Sequence, residues 1–111
     1  MATVANIFID QGSDYSNIVT VTASNGQPLN LTGYTVSSQM RKSFTSSTAY
    51  NFSASILSAA SGRVRLQLTA SQSELIPPGR YLYDVEVSSS TGGKTRVVEG
   101  IATITPQITQ V

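Results

Sequence analysis

The run RVRLQLTASQSELIPPGRYLYDVEV, residues 63–87, reads as a strand, a short helical turn, a Pro-Pro-Gly corner and a second strand. Val64, Leu66 and Leu68 alternate with Arg63, Arg65 and Gln67, the period of a half-buried strand. Tyr81, Tyr83, Val85 and Val87 alternate with Leu82, Asp84 and Glu86 in the same way. Thr69 is suited to cap a turn over Ala70 to Leu75, with Glu74 placed to favour its N-terminal end. Gly79-Arg80-Tyr81 sets a tyrosine just after a corner, at a strand start. That is the setting of a tyrosine corner, with the Tyr81 hydroxyl predicted to bond to backbone near Thr69 to Leu75. The stretch points to an architecture and to no reaction.

Outward from it the same period recurs. Ile7 and Ile9 oppose Phe8 and Asp10, and Val19, Val21 and Ala23 suggest a second strand. Ser24-Asn25-Gly26-Gln27-Pro28 is a turn, because Asn and Gly tolerate positive φ. Tyr34, Val36, Ser38 and Met40 alternate with polar residues, and Tyr50, Phe52, Ala54 and Ile56 form one shorter strand. Ser88 to Gly93 is a hairpin loop, and Lys94 to Thr105 a long last strand stopped by Pro106. Gly100 is the expected bulge in that strand. The prediction is all-β: a single domain over 1–111, an immunoglobulin-like antiparallel two-sheet sandwich of about seven strands. Its core is predicted to hold Val19, Val21, Val36, Met40, Phe52, Ile56, Val64, Leu66, Leu68, Tyr81, Tyr83, Val85 and Val87. Arg41 is expected to pair across strands with Asp84 or Glu86.

Composition bounds the function. A chain of 111 residues is large enough for one real core. Only 12% of residues are charged, and Ser and Thr fill about 30 positions, a weakly charged polar surface that fits packing into an assembly. The net charge of +1, with no basic run longer than Arg41-Lys42, argues against nucleic-acid binding. The N-terminus lacks a basic region followed by an apolar run, so no signal peptide is expected, and no apolar stretch reaches the ~18 residues of a membrane span.

Histidine and cysteine are absent, which removes the common general base, the thiol nucleophile and nearly all zinc chemistry. Asp84 and Glu86 share one strand face about 7 Å apart. A glycosidase could use such a pair, yet an outward face carrying a cross-strand salt bridge explains it more simply. Asp10 and Asp14 flank a Gly-containing loop that offers too few oxygens for calcium. Tyr81 and Tyr83 fall where a sandwich puts its core, and so read as structural before they read as a sugar site. The Asn30 and Asn51 sequons read as coincidences of a Ser/Thr-rich chain. No enzyme activity, cofactor or metal is expected.

Five runs in order carry a resemblance: Leu29 to Val36, Gln39 to Ser43, Leu66 to Thr69, Pro78 to Glu86, and Arg96 to Gly100. Together they resemble a tailed-phage virion module. It is similar to the immunoglobulin-like N-terminal domain of phage baseplate upper proteins and to short structural proteins of marine and cyanobacterial phages. The resemblance implies an adaptor or accessory module of the tail or baseplate, assembled in the host cytoplasm and present in several copies. Its partners would be other virion proteins, with neither nucleic acid nor membrane. A capsid decoration protein and a host-surface carbohydrate-binding module are the alternatives. The expected contact surfaces are the N-terminal segment Ala2 to Asp10 and the C-terminal tail Pro106 to Val111. The segment before Asp10 is uncharged, an edge for a partner to cover. The candidate contact residues are Val4, Ile7, Phe8, Ile108 and Val111; completion of the core by Ile7 and Phe8, with a frayed tail, is the competing expectation.

Overall fold

The computed structural model describes residues 3–23, 26–43, 45–106 and 108. Strands β1 (Thr3–Val4), β2 (Ile7–Asp10), β3 (Tyr15–Thr20), β4 (Thr35–Arg41), β5 (Tyr50–Asn51), β6 (Ser53–Ser58) and β7 (Arg63–Leu68) come first. A helical turn, α1 (Ala70–Glu74), then leads to β8 (Gly79–Ser88) and β9 (Lys94–Thr105). One sheet has the order β1-β9-β8-β4-β5, with β2 continuing β1 along the same side of β9. The other has the order β3-β7-β6. This is an all-β sandwich with the connection order of the immunoglobulin-like class.

Two features depart from the sequence prediction. The first strand runs parallel to the last, so the sandwich is not wholly antiparallel. The single strand expected over Tyr50 to Ile56 is split at Phe52: β5 pairs with β4, whereas β6 pairs with β7 in the other sheet. The chain changes sheets there while Phe52 plugs the core, 5% exposed. An edge residue thus stays in the alternation while its backbone changes partners.

The core lies between the inner faces. Tyr81, Tyr83, Val85 and Val87 of β8 and Val64, Leu66 and Leu68 of β7 are all buried, as the alternation requires. Val36 and Ile56 are only half-buried. The aromatic rings meet edge-on: Phe52 and Tyr83 centroids lie 6.1 Å apart at 67°, and Tyr50 and Tyr81 lie 5.9 Å apart at 86°, the geometry their quadrupoles prefer. Leu31 and Ile76, both loop residues, are as buried as the strand core.

The helical turn is set by its ends. Thr69 Oγ1 accepts from the Gln72 amide at 3.2 Å, and Gln72 Oε1 accepts from the Thr69 amide at 2.9 Å, a reciprocal capping box. Glu74 is the last helical residue and does not act at the N-terminus. Ser73, fully buried, accepts from the Gly12 amide and donates to the Ser13 carbonyl, tying the turn to the β2–β3 loop.

Candidate functional site

The most exposed apolar side chains within strands lie at one edge of the larger sheet. Ile7 and Ile9 face inward at 6% and 0% exposure, and Phe8 between them faces outward at 71%. Val4 is 69% exposed and Ile101 of β9 is 37% exposed. Val4, Ile101 and half-buried Leu82 sit with Gln39, Arg41, Asp84, Glu86, Arg96 and Glu99 around a shallow trough of about 690 Å³ on the outer sheet face. Ile7 was an expected partner contact; its place in the alternation buries it, so it belongs to the core. Ile108 is 95% exposed. Val111, and the Ser24-Asn25 corner, lie outside the described residues.

The edge is held by an exchange of hydrogen bonds. The Ala5 amide donates to the Glu99 carbonyl at 2.8 Å, and the Gln11 amide to the Thr105 carbonyl at 3.0 Å. In a regular parallel ladder the Ala5 carbonyl would accept from the Ile101 amide. Here Asn6 Oδ1 accepts that amide instead, at 3.0 Å, and the Ala5 carbonyl accepts the Tyr83 hydroxyl. Gly100, opposite Tyr83 in the β8–β9 register, makes this possible, because a Cβ there would run into the Ala5 carbonyl. The register on either side is unbroken, with Val4 against Glu99 and Ile7 against Ala102. Gly100 is therefore not the bulge; the β8–β9 register shifts between Val85 and Glu86, leaving Val97 unpaired opposite β8. Adjacent Val97 and Val98 are both buried, the mark of a local break in alternation.

The charged outer face also differs from expectation. Arg96, on β9, supplies the cation: its Nε lies 3.1 Å from Asp84 Oδ2 and its Nη1 3.3 Å from Glu99 Oε2. Arg41 shares this sheet with Asp84 but stands opposite Leu82, and its guanidinium donates to the Ser46 carbonyl at 2.8 Å and to Gln39 Oε1 at 3.1 Å. Register and that local loop keep it from the carboxylates. The Asp84–Glu86 pair thus lies on a half-buried sheet face with a cross-strand salt bridge.

Tyr81 is 2% exposed, and its hydroxyl donates to the Pro77 carbonyl at 2.6 Å. The acceptor lies beyond the Thr69–Leu75 stretch expected for it: the Pro77-Pro78 corner is what crosses the start of β8. Gly79 takes φ +141°, and Lys42 Nζ stands 4.5 Å from the Tyr81 ring centroid. Burial raises the Tyr81 and Tyr15 hydroxyl pKa values, and pushes that of Tyr83 up to about 12, with neighbouring Tyr15 adding to the rise. Asp10 accepts from Thr105 Oγ1 at 2.7 Å, whereas Asp14 caps the Ala70 amide at 2.7 Å, so the loop carboxylates serve separate local bonds. Among the described residues no three metal-ligating side chains group together, and no helix is long and apolar enough to cross a membrane.

Sequence reasoning missed Asn6, Gly100 and Ile101 as parts of this edge. The available signal was a lone Asn in an apolar edge run.

No family model and no curated protein matches the chain. Among solved structures, a family 123 glycoside hydrolase from Clostridium perfringens, described for glycolipid glycan hydrolysis, aligns at 10% identity with a TM-score of 0.44. The alignment covers 98% of this chain and 24% of that one, so the chain spans about a quarter of the hydrolase's length. At that score the likeness carries no inference about activity.

Proposed function

We propose that the chain is a non-enzymatic structural protein of a tailed-phage virion. It serves as an adaptor or accessory module of the tail or baseplate, acts by contact with other virion proteins and is present in several copies. The observation that carries this reading is the outward apolar edge of the larger sheet. Val4 and Phe8 are 69% and 71% exposed on strands without a charge before Asp10. Edge strands of free-standing domains are usually blunted by charge or proline; an unguarded one suits a protein that is covered on assembly. The order of the sequence runs that resemble phage modules supplies the virion context.

The test is incorporation. Particles assembled with a chain lacking Gln107 to Val111, and with a Val4→Ser/Phe8→Ser chain, are compared with the parent by mass spectrometry of purified virions. Loss of the edge variant, with its monomer fold intact, supports contact through the edge; loss of the tail deletion assigns an anchor to Ile108 and its neighbours. Absence of the parent chain from particles, with tight binding of the purified protein to host polysaccharide, replaces this reading with a host-surface one. Labelled particles imaged intact distinguish a tail position from a capsid one.

A further inference from the structure

The free side of β2 has a geometry of its own. Ala5 and Gln11 direct their amides toward β9, and alternation directs those of Ile7 and Ile9 the same way. The backbone N–H and C=O of Phe8 and the N–H of Asp10 therefore point away from the sheet, and no described strand pairs with them there, while the Asp10 carbonyl accepts the Ser13 amide at 3.1 Å. We propose that this edge pairs antiparallel with the same edge of a second copy, about a twofold axis at Phe8, joining two six-stranded sheets into one.

Three observations choose a second copy. A twofold contact sets a patch against itself, so its residues must be self-complementary. With Phe8 opposite Phe8 of the other copy, the two outward rings lie on one face of the joined sheet as a cross-strand aromatic pair. The same register sets Asn6 opposite Asp10, twice. Asn6 Oδ1 is taken by the Ile101 amide, while its Nδ2 has no partner among the described residues; the Asp10 carboxylate holds one bond, from Thr105, and retains lone pairs to accept another. Charge is the third. The two Asp10 carboxylates would stand four residues apart along the ladder, roughly 14 Å, beyond the ~8 Å screening length at physiological ionic strength. Every other residue from Thr3 to Ile9 is uncharged, so the doubled edge meets no like-charge contact. The outer strands β3 and β6 of the smaller sheet are also uncharged, but their outward apolar residues, Ile18 at 48% and Leu57 at 42%, are better covered than Val4 and Phe8.

This pairing deepens the assembly reading by naming one partner and one surface, and the two fail separately: virion membership is read in particles, the pairing in the purified chain. Sedimentation velocity gives the mass of the parent, Phe8→Pro and Phe8→Lys proteins up to their highest soluble concentrations. Phe8→Pro removes an outward N–H and leaves the β9 ladder its own donors, so an edge position tolerates it; Phe8→Lys serves if the proline variant does not fold. The parent is expected at twice the chain mass and the variants at the chain mass. Phe8→Cys, in a chain with no other cysteine, is expected to form a covalent dimer on mild oxidation. A monomeric parent, or a dimer that persists in a folded Phe8 variant, overturns the proposal. So does a parent that dimerises without the Phe8→Cys cross-link, since the axis then lies elsewhere.

Discussion

Tyr83→Phe removes one oxygen from the sandwich and should loosen the edge strand 78 residues away in sequence. Tyr83 is 4% exposed, and its ring packs edge-on against Phe52, so the phenyl ring of the variant keeps the packing. What is lost is the bond to the Ala5 carbonyl. The Ile101 amide, its regular ladder donor, is already given to Asn6, so no backbone donor stands ready to replace the hydroxyl. A hydrogen bond contributes about 1 kcal/mol net, and a buried acceptor left unpaired costs about 1–3 kcal/mol. Ala5 is half-buried, so the expected loss falls in the lower part of that range, about 1–2 kcal/mol. Tyr81→Phe is the internal control. Its acceptor, the carbonyl of exposed Pro77, can take water instead, so the loss should stay near 0.5–1 kcal/mol. Urea titrations of the three proteins measure the difference, provided their slopes agree. Hydrogen exchange should localise it, with the Ile101 amide losing protection first in Tyr83→Phe. If Tyr83→Phe is as stable as the parent, or costs less than Tyr81→Phe, the exchanged-bond account of the edge is wrong.

Gly62→Ala should cost about 2–3 kcal/mol by thermal or urea midpoint: its φ is +65°, which costs a side-chain-bearing residue about 1–2 kcal/mol, and its Cβ would meet the Val21 and Leu29 carbonyls at 2.6 and 2.7 Å. A neutral Gly62→Ala would show that the loop moves freely. Arg96→Ala removes both salt bridges on the outer face, yet the side chains are partly solvated, so the loss should stay below about 1 kcal/mol and shrink in high salt; a larger, salt-independent loss would mean that Arg96 does more than pair. Stability should also fall in alkali. The Tyr83 pKa is raised from 10.0 to about 12 by burial, then by Tyr15, so the folded state holds its proton after the unfolded chain has released it. That contribution is full below pH 10 and is lost as pH rises through 12, with Tyr15 and Tyr81 adding in the same direction. Urea midpoints measured across this range should decline, and less steeply in Tyr83→Phe; a flat parent profile would contradict the burial of these hydroxyls.

The sandwich was legible because alternation survives in nearly every strand. Val64, Leu66 and Leu68 have one neighbour strand on each side and one face to bury, so the pattern alone places them. The split at Phe52 was hidden for the same reason. Tyr50, Phe52 and Ala54 keep their period while the backbone leaves β4 for β7, and side-chain period does not record which strand accepts the hydrogen bonds. The parallel first strand was equally silent, since Ile7 and Ile9 alternate identically in either direction. Glycine misled the reading of β9. Gly100 looked like a bulge, but its role is to lack a Cβ where Ala5 crosses, a contact between residues 95 positions apart that no local pattern contains.

The candidate site was legible only by half, and the edge shows why. An uncharged N-terminal run with apolar residues marks an edge, and composition alone ranks Ile7 and Phe8 together. Alternation separates them, but only if the strand's phase is known on both sides of Ala5-Asn6. Equal steps on both strands, from Val4 against Glu99 to Ile7 against Ala102, keep that phase across Ala5-Asn6. They do so because Asn6 supplies from its side chain the acceptor that the Ala5 backbone has given up. Val4 and Phe8 therefore point outward together on account of Asn6, Gly100 and Tyr83, which belong to no apolar pattern. The phase of the proposed contact surface is set from the core side, so weakening the Tyr83–Ala5 bond should disturb the outward-facing Val4 and Phe8 through the Ala5 backbone that lies between them.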